Sequence, residues 1–135
     1  MSFAGKTAVV TGGSRGLGRA VCRLLAAEGA NVVFCYAGNA AAAQETVQEL
    51  EALGAQVRAV QADISDPSAV KLLMDTAVRD FGRIDILVNN AGITRDGLAM
   101  TMKETDFDAV IATNLKGVFL CMKAAARLML RQKYG

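Results

Sequence analysis

The chain has 135 residues, 53% of them apolar, a formal net charge of +2 and no histidine. That length makes one domain with room for a sizeable core, and a mean hydropathy of +0.30 argues against disorder. The small, scattered charge speaks against a nucleic-acid or acidic-membrane surface, and the missing imidazole excludes every Ser-His-Asp or Cys-His nucleophile and most metal sites.

The first residues, Met1 to Lys6, lack the apolar core of a secretory leader. Thr7-Ala8-Val9-Val10 is a short, β-branched run, followed by Gly12, Gly13, Gly16 and Gly18. Leu17, Ala20, Val21, Leu24 and Leu25 then recur at helical spacing and predict the buried stripe of a helix ended by Gly29. Asn31 to Tyr36 is apolar and too short for a self-burying helix, hence a second strand. Ala43, Val47, Leu50 and Leu53 line a second helix closed by Gly54, and Val57 to Val60 form a third strand leading to Asp63. Asp66-Pro67 starts a third helix, with a carboxylate to cap free amides and then a residue that has no amide to satisfy. Val70, Leu73, Met74, Ala77, Val78 and Phe81 supply its stripe, and Gly82 stops it. The fourth strand, Ile84 to Val88, runs into Asn89-Asn90-Ala91-Gly92.

Thr101 and Glu104 fit a capping box, with Thr105 or Asp106 as alternative caps. The long helix they introduce carries Phe107, Val110, Ile111, Leu115, Val118, Phe119 and Met122, and reaches about Gln132. Asn114 is a poor helix former within that apolar pattern and predicts a bend or a local opening. Cys22, Cys35 and Cys121 are odd in number, far apart and without a C-x-x-C pair, so they read as buried small side chains in a reducing compartment. No run of consecutive apolar residues reaches bilayer length. A cytoplasmic protein without membrane or nucleic-acid partners is the expectation.

Strands that alternate with helices need crossovers, hence parallel strands with right-handed connections. The expected fold is α/β: a three-layer Rossmann fold with a parallel sheet of strand order 3-2-1-4 and helices on both faces. Ligands of such sheets bind at the carboxyl ends of the strands where the order reverses, here between strands 1 and 4. The loops at that point are Gly12 to Gly18 and Asn89 to Gly92. Glycines let the first loop turn sharply and approach a pyrophosphate, while free amides at the helix start face its charge. The spacing is G-x-x-x-G-x-G, and no Gly-Lys-Ser/Thr follows, so the loop is not a P-loop. Users of NAD place an acid after the second strand; Tyr36-Ala37-Gly38-Asn39 offers none, and Arg15 can donate to a 2′-phosphate, which favours NADP.

That glycine spacing, together with Asn89-Asn90-Ala91-Gly92, resembles the short-chain dehydrogenase/reductase family from about Lys6 onward. The stretches Asn90 to Lys103 and Asn114 to Cys121 are similar to its 3-oxoacyl-[acyl-carrier-protein] reductase branch. The resemblance implies that Gly12, Ser14, Arg15, Gly16 and Leu17 hold the phosphates and ribose of NADPH. It also implies that Asp63 and Ile64 contact the adenine, and that Asn90, Ala91 and Gly92 pass beneath the nicotinamide ribose. Asn114 would be the fourth catalytic residue, serving a proton relay through water. Gly13, Gly18, Tyr36 and Ala37 complete the expected cofactor-binding set, with no metal ligand. Read alone, Asp63 is equally a solvated strand-end carboxylate, Asn114 a polar interruption and Arg15 a surface charge.

The branch reduces a 3-oxoacyl thioester carried on acyl carrier protein, using a Ser and a Tyr-x-x-x-Lys whose Lys lowers the phenol pKa. Tyr36 and Tyr134 are the two tyrosines here; Ala40 follows the first at that spacing, and only Gly135 follows the second. Residues 1–135 are therefore expected to form the nucleotide-binding Rossmann portion without the catalytic half, inactive alone. A homo-oligomer is expected, paired through the open edge of strand 4 or through Val110, Val118, Phe119, Met122, Leu128 and Met129 of the long helix. The alternatives are a non-catalytic dinucleotide-binding module and a self-associating minimal Rossmann unit.

Overall fold

The computed structural model describes residues 2–135. Its strands are β1 (Thr7–Val10), β2 (Asn31–Tyr36), β3 (Val57–Gln61) and β4 (Ile86–Val88), all parallel in the order β3-β2-β1-β4. The helices between them are α1 (Gly16–Ala27), α2 (Ala40–Ala52) and α3 (Pro67–Phe81). After β4 come α4 (Glu104–Ile111), a π-helical turn over Ala112–Lys116, and α5 (Gly117–Gln132).

Side-chain alternation along β1 and β2 divides the core in two. Ala8, Val10, Val32 and Phe34 face one side and pack on Cys22, Leu25 and Ala26 of α1 and Ala43 and Leu50 of α2. Val9, Val33 and Cys35 face the other and meet Val70, Leu73, Met74 and Ala77 of α3 and Cys121 of α5. Helices on both faces explain why these two central strands are apolar after their first residues, Thr7 and Asn31. All three cysteines are buried and free, and burial pushes the Cys22 thiol up to about 12 and the Cys121 thiol up to about 11.

Several elements differ from the sequence pattern. In α1, Leu17 and Leu24 are 73% and 69% exposed, and the buried face is Gly18, Cys22, Leu25 and Ala26. The helix turns Gly18 inward because the preceding loop crosses it at backbone distance, and the residues in line with Gly18 follow it. In α2 the buried set is Ala43, Thr46 and Leu50, with Leu53 left exposed beyond the last turn. Val78 of α3 is exposed, although Asp66 does cap that helix, accepting from the Ser68 amide at 3.0 Å. The capping box expected at Thr101 does not form. Lys103 precedes α4 without a side-chain cap, while the Thr101 hydroxyl turns back to the Leu98 carbonyl at 3.4 Å. Glu104 and Asp106 in the first turn complement the helix dipole instead.

The residues from Glu104 to Gln132 make one continuous helix of 29 residues with a mean hydropathy of 1.4 in an 18-residue window. By length and composition it is apolar enough to cross a bilayer, contrary to the expectation from apolar run lengths, because its few polar residues are interspersed. One such helix is weak grounds for a membrane. Here Gly117, Cys121 and Ala125 are buried, while Phe107, Ile111, Leu115, Phe119 and Met122 are exposed.

The fourth strand begins at Ile86, two residues later than its apolar pattern suggests. The Thr7 amide is taken by the Asp85 carboxylate at 2.9 Å, while the Asp85 amide donates to the Thr7 carbonyl at 2.9 Å. At the outer edge, the Gln132 side chain accepts from the Ile84 amide at 2.9 Å and donates to its carbonyl at 2.7 Å, so the end of α5 clasps the entry to β4. Arg83 grips the buried Asp85 in a fork at 2.6 and 2.7 Å. Burial opposes the Asp85 charge, but the Arg83 guanidinium and the Thr7 amide outweigh it and hold the carboxyl below its usual range. With a depressed folded-state value, this stabilisation is complete above about pH 4 and is lost as pH falls through the lower folded-state pKa. Asp85→Ala is expected to cost about 1–3 kcal/mol in urea unfolding at pH 7 and to reduce the loss of stability on acidification. Unchanged unfolding at both pH 7 and pH 3 would remove Asp85 from this role.

Candidate functional site

Thr11 directly follows β1 and is buried, and its hydroxyl oxygen accepts from both the Asn90 amide at 3.0 Å and the Ala91 amide at 2.9 Å. Its own amide donates to the Val88 carbonyl at 3.0 Å. One side chain thus ties the loop after β1 to the loop after β4. The Asn90 carboxamide adds a second tie, donating to the Gly12 carbonyl at 3.1 Å. Gly12 has φ +69°, and a Cβ there would lie 3.0 Å from the Ala91 Cα. A Cβ on Gly18 would collide with the Gly12 carbonyl oxygen and the Asn90 carboxamide nitrogen. Both positions require glycine, the first for its left-handed backbone and the second for the space.

These loops, with the ends of β2 and β3, enclose a cleft of about 670 Å³ at the carboxyl edge of the sheet. It brings together Gly12, Ser14, Arg15, Gly16, Tyr36, Ala37, Asp63, Ile64, Asn90, Ala91 and Gly92 from the expected set. Gly13 and Gly18 are buried behind the loop, and the exposed Leu17 side chain lies outside the lining. Arg15 caps α1 in an extended conformation with no side-chain hydrogen bond to the helix, and no acidic residue occupies the first turn. The first amides of α1 therefore keep their capacity for an anion. Gly16 has φ +59° and open space where a Cβ would stand. Asp63 is the one carboxylate in the lining among the described residues, and its oxygen accepts from the Ser65 amide at 2.9 Å and the Ser65 hydroxyl at 2.7 Å. The rim after β2 carries no acid.

Asn114 stands in the π-helical turn, outside the cleft lining, although Ala112 and Thr113 beside it reach the cleft. Its carboxamide oxygen accepts from the Ile93 amide at 2.9 Å, and its nitrogen donates to the Ile93 carbonyl at 2.9 Å. In this arrangement it positions the segment that leaves Gly92. Arg95, absent from the expected set, also lines the cleft and reaches Asp106 at 3.8 Å. Thr11 was also outside that set. It opens the glycine-rich stretch in the sequence, where nothing marks its hydroxyl until the partner loop is brought to it.

Residues 6–135 match the family model described as short chain dehydrogenase. A 3-oxoacyl-[acyl-carrier-protein] reductase FabG of Staphylococcus aureus (strain Mu50) is 51% identical over 130 residues, covering 96% of this chain and 53% of that protein. The same-named protein of Escherichia coli (strain K12) is 42% identical over 135 residues, covering 100% of this chain and 54% of that one. The chain thus spans about half the length of the curated relatives it matches. A solved short chain dehydrogenase from Burkholderia cenocepacia J2315, in complex with NADP, superposes with a TM-score of 0.92 at 45% identity, covering 95% of this chain and 52% of that one.

Replacing Thr11 by Val keeps its shape but leaves the Asn90 and Ala91 amides without their acceptor. The expected cost is about 1–3 kcal/mol, with faster amide exchange at Asn90 and Ala91, whereas Thr11→Ser should stay near the parent. Equal stability and exchange in all three proteins would show that the two loops are held by something else.

Proposed function

Since the chain belongs to the short chain dehydrogenase family, we propose that these residues are the NADP-binding portion of a reductase acting on a 3-oxoacyl thioester carried by acyl carrier protein. The observation that carries the reading is the cleft, in which the glycine-rich loop, the acid-free rim after β2 and the Asn90–Gly92 loop converge at one edge of the sheet. A dinucleotide fits the residues present. The open α1 amides suit its pyrophosphate, and the vacant side of Gly16 leaves room for it. Arg15 suits a 2′-phosphate, and the apolar Ile64 beside Asp63 suits the adenine. NADPH supplies a hydride when bound, and this chain's residues bind and orient it. Asn90 to Gly92 support the nicotinamide end, and Asn114 holds their exit at Ile93. No Tyr-x-x-x-Lys occurs in these 135 residues, so nucleotide binding is the property to measure on them.

The relatives' names support the thioester reading, and the NADP complex of the Burkholderia protein supports the cofactor. A cytoplasmic setting accords with three unpaired, buried thiols. The exposed stripe of Phe107, Ile111, Leu115, Phe119 and Met122 supports a symmetric dimer formed by pairing these helices.

Titration of the chain with NADPH and NADH, followed by nicotinamide fluorescence, is expected to give tighter binding of NADPH. Arg15→Ala should lower the NADPH/NADH preference about tenfold, the low end for a charge-assisted contact because Arg15 is exposed. An unchanged preference would move the 2′-phosphate elsewhere, and no binding of either nucleotide would overturn the reading. In sedimentation at micromolar concentration, Phe119→Glu is expected to shift a dimer to monomer; a monomeric parent chain rules the pairing out.

A further inference from the structure

Thr11 holds the glycine-rich loop from the sheet; Thr46, on α2, reaches it from the opposite side. Thr46 is wholly buried, and its hydroxyl donates to the Ser14 carbonyl at 2.7 Å. The Ala42 carbonyl, one turn back in α2, lies 3.0 Å from the same hydroxyl and is the longer of the two contacts. A threonine inside a helix ordinarily turns its hydroxyl back on its own helix. Here the shorter contact goes across to the loop.

The tether bears on Arg15. Ser14 is itself buried, and its carbonyl belongs to the peptide that leads into Arg15. Arg15 is extended, with φ −157° and ψ 171°, and forms no ion pair among the described residues. No acidic partner among them holds its side chain, and the peptide that leads into it is pinned at Ser14. We propose that Thr46 is a specificity-positioning residue. By anchoring the Ser14 carbonyl it aims Arg15 into the cleft and so sustains discrimination between a dinucleotide with a 2′-phosphate and one without. This rests on the NADP reading above.

The rest of the α1–α2 contact does not depend on Thr46. Arg19 pairs with Glu49 at 2.8 Å and with Glu45 at 3.6 Å, and Arg23 reaches Glu49 at 3.6 Å. Ala43 and Leu50 on the same face of α2 stay buried in the core. Loss of the hydroxyl would thus leave α2 in place and release only the Ser14 peptide, whose buried carbonyl must then turn or take up water.

The experiment measures NADPH and NADH dissociation constants for the parent chain, Thr46→Val and Thr46→Ser, and repeats Thr46→Val in an Arg15→Ala background. Thr46→Val is expected to lower the NADPH/NADH preference about fivefold, the effect of one neutral hydrogen bond, and Thr46→Ser to restore it. In the Arg15→Ala background the same substitution should leave the preference unchanged, because the two residues act in series. A purely structural role would weaken both nucleotides equally, and that result overturns the proposal. So does a Thr46→Val protein that keeps the parent's preference. A parent chain with no preference for NADPH overturns the cofactor reading, and this inference with it. If Thr46→Val does not fold, Thr46→Ala serves as the second deletion, since Ala suits a helix and also removes the hydroxyl.

Discussion

Two amides sharing one hydroxyl oxygen hold the cleft together. Thr11 accepts from both Asn90 and Ala91, and through that contact the loops after β1 and β4 become one surface. These strands are neighbours in space with seventy-odd residues of chain between them, and their three paired positions leave the loops beyond to find their own registration. The Thr11 hydroxyl supplies it. Asn90 then completes the junction by donating to the Gly12 carbonyl. The open helix end at Gly16 and the acid-free rim after β2 border the same cleft.

The closeness of the seam also decides how α1 sits. Gly18 faces the Gly12 carbonyl with no room for a side chain, so the helix must present that side to the sheet. Cys22, Leu25 and Ala26 follow Gly18 around the same face, and Leu17 and Leu24 are left in solvent. Small residues at this interface let the helix terminus come close to the loop after β1.

At the other side of the sheet the long helix is divided in its roles. Its N-terminal part, up to the π-helical turn, reaches the cleft through Ala109, Ala112 and Thr113, and its C-terminal part packs on α3 and ends in the Gln132 clasp on Ile84. The π-helical turn lies where Asn114 leaves the regular helix pattern to hold both polar groups of Ile93. Gly117, directly after it, packs against Ile64 with no space for a Cβ.

Much of this was legible in the residues themselves. Period and length mark β1 and β2, Asp66-Pro67 and Gly82 mark α3, and alternation of strand with helix implies parallel pairing in the order β3-β2-β1-β4. Glycine spacing marked the loop that borders the cleft, and the absence of an acid after β2 needed no coordinates. These are local properties, set by backbone preference, side-chain period and charge. The sequence alone did not show which face of α1 is buried, because Leu17 and Gly18 are adjacent and only contact with Gly12 makes the smaller residue the inward one. Nor did it show the absence of a cap at Thr101, or the work of the Thr11 and Thr46 hydroxyls, which count as ordinary loop and helix residues until a distant loop arrives. Those choices were made in the tertiary structure, because a hydrogen bond between remote segments and a collision at backbone distance leave no periodic trace in the chain.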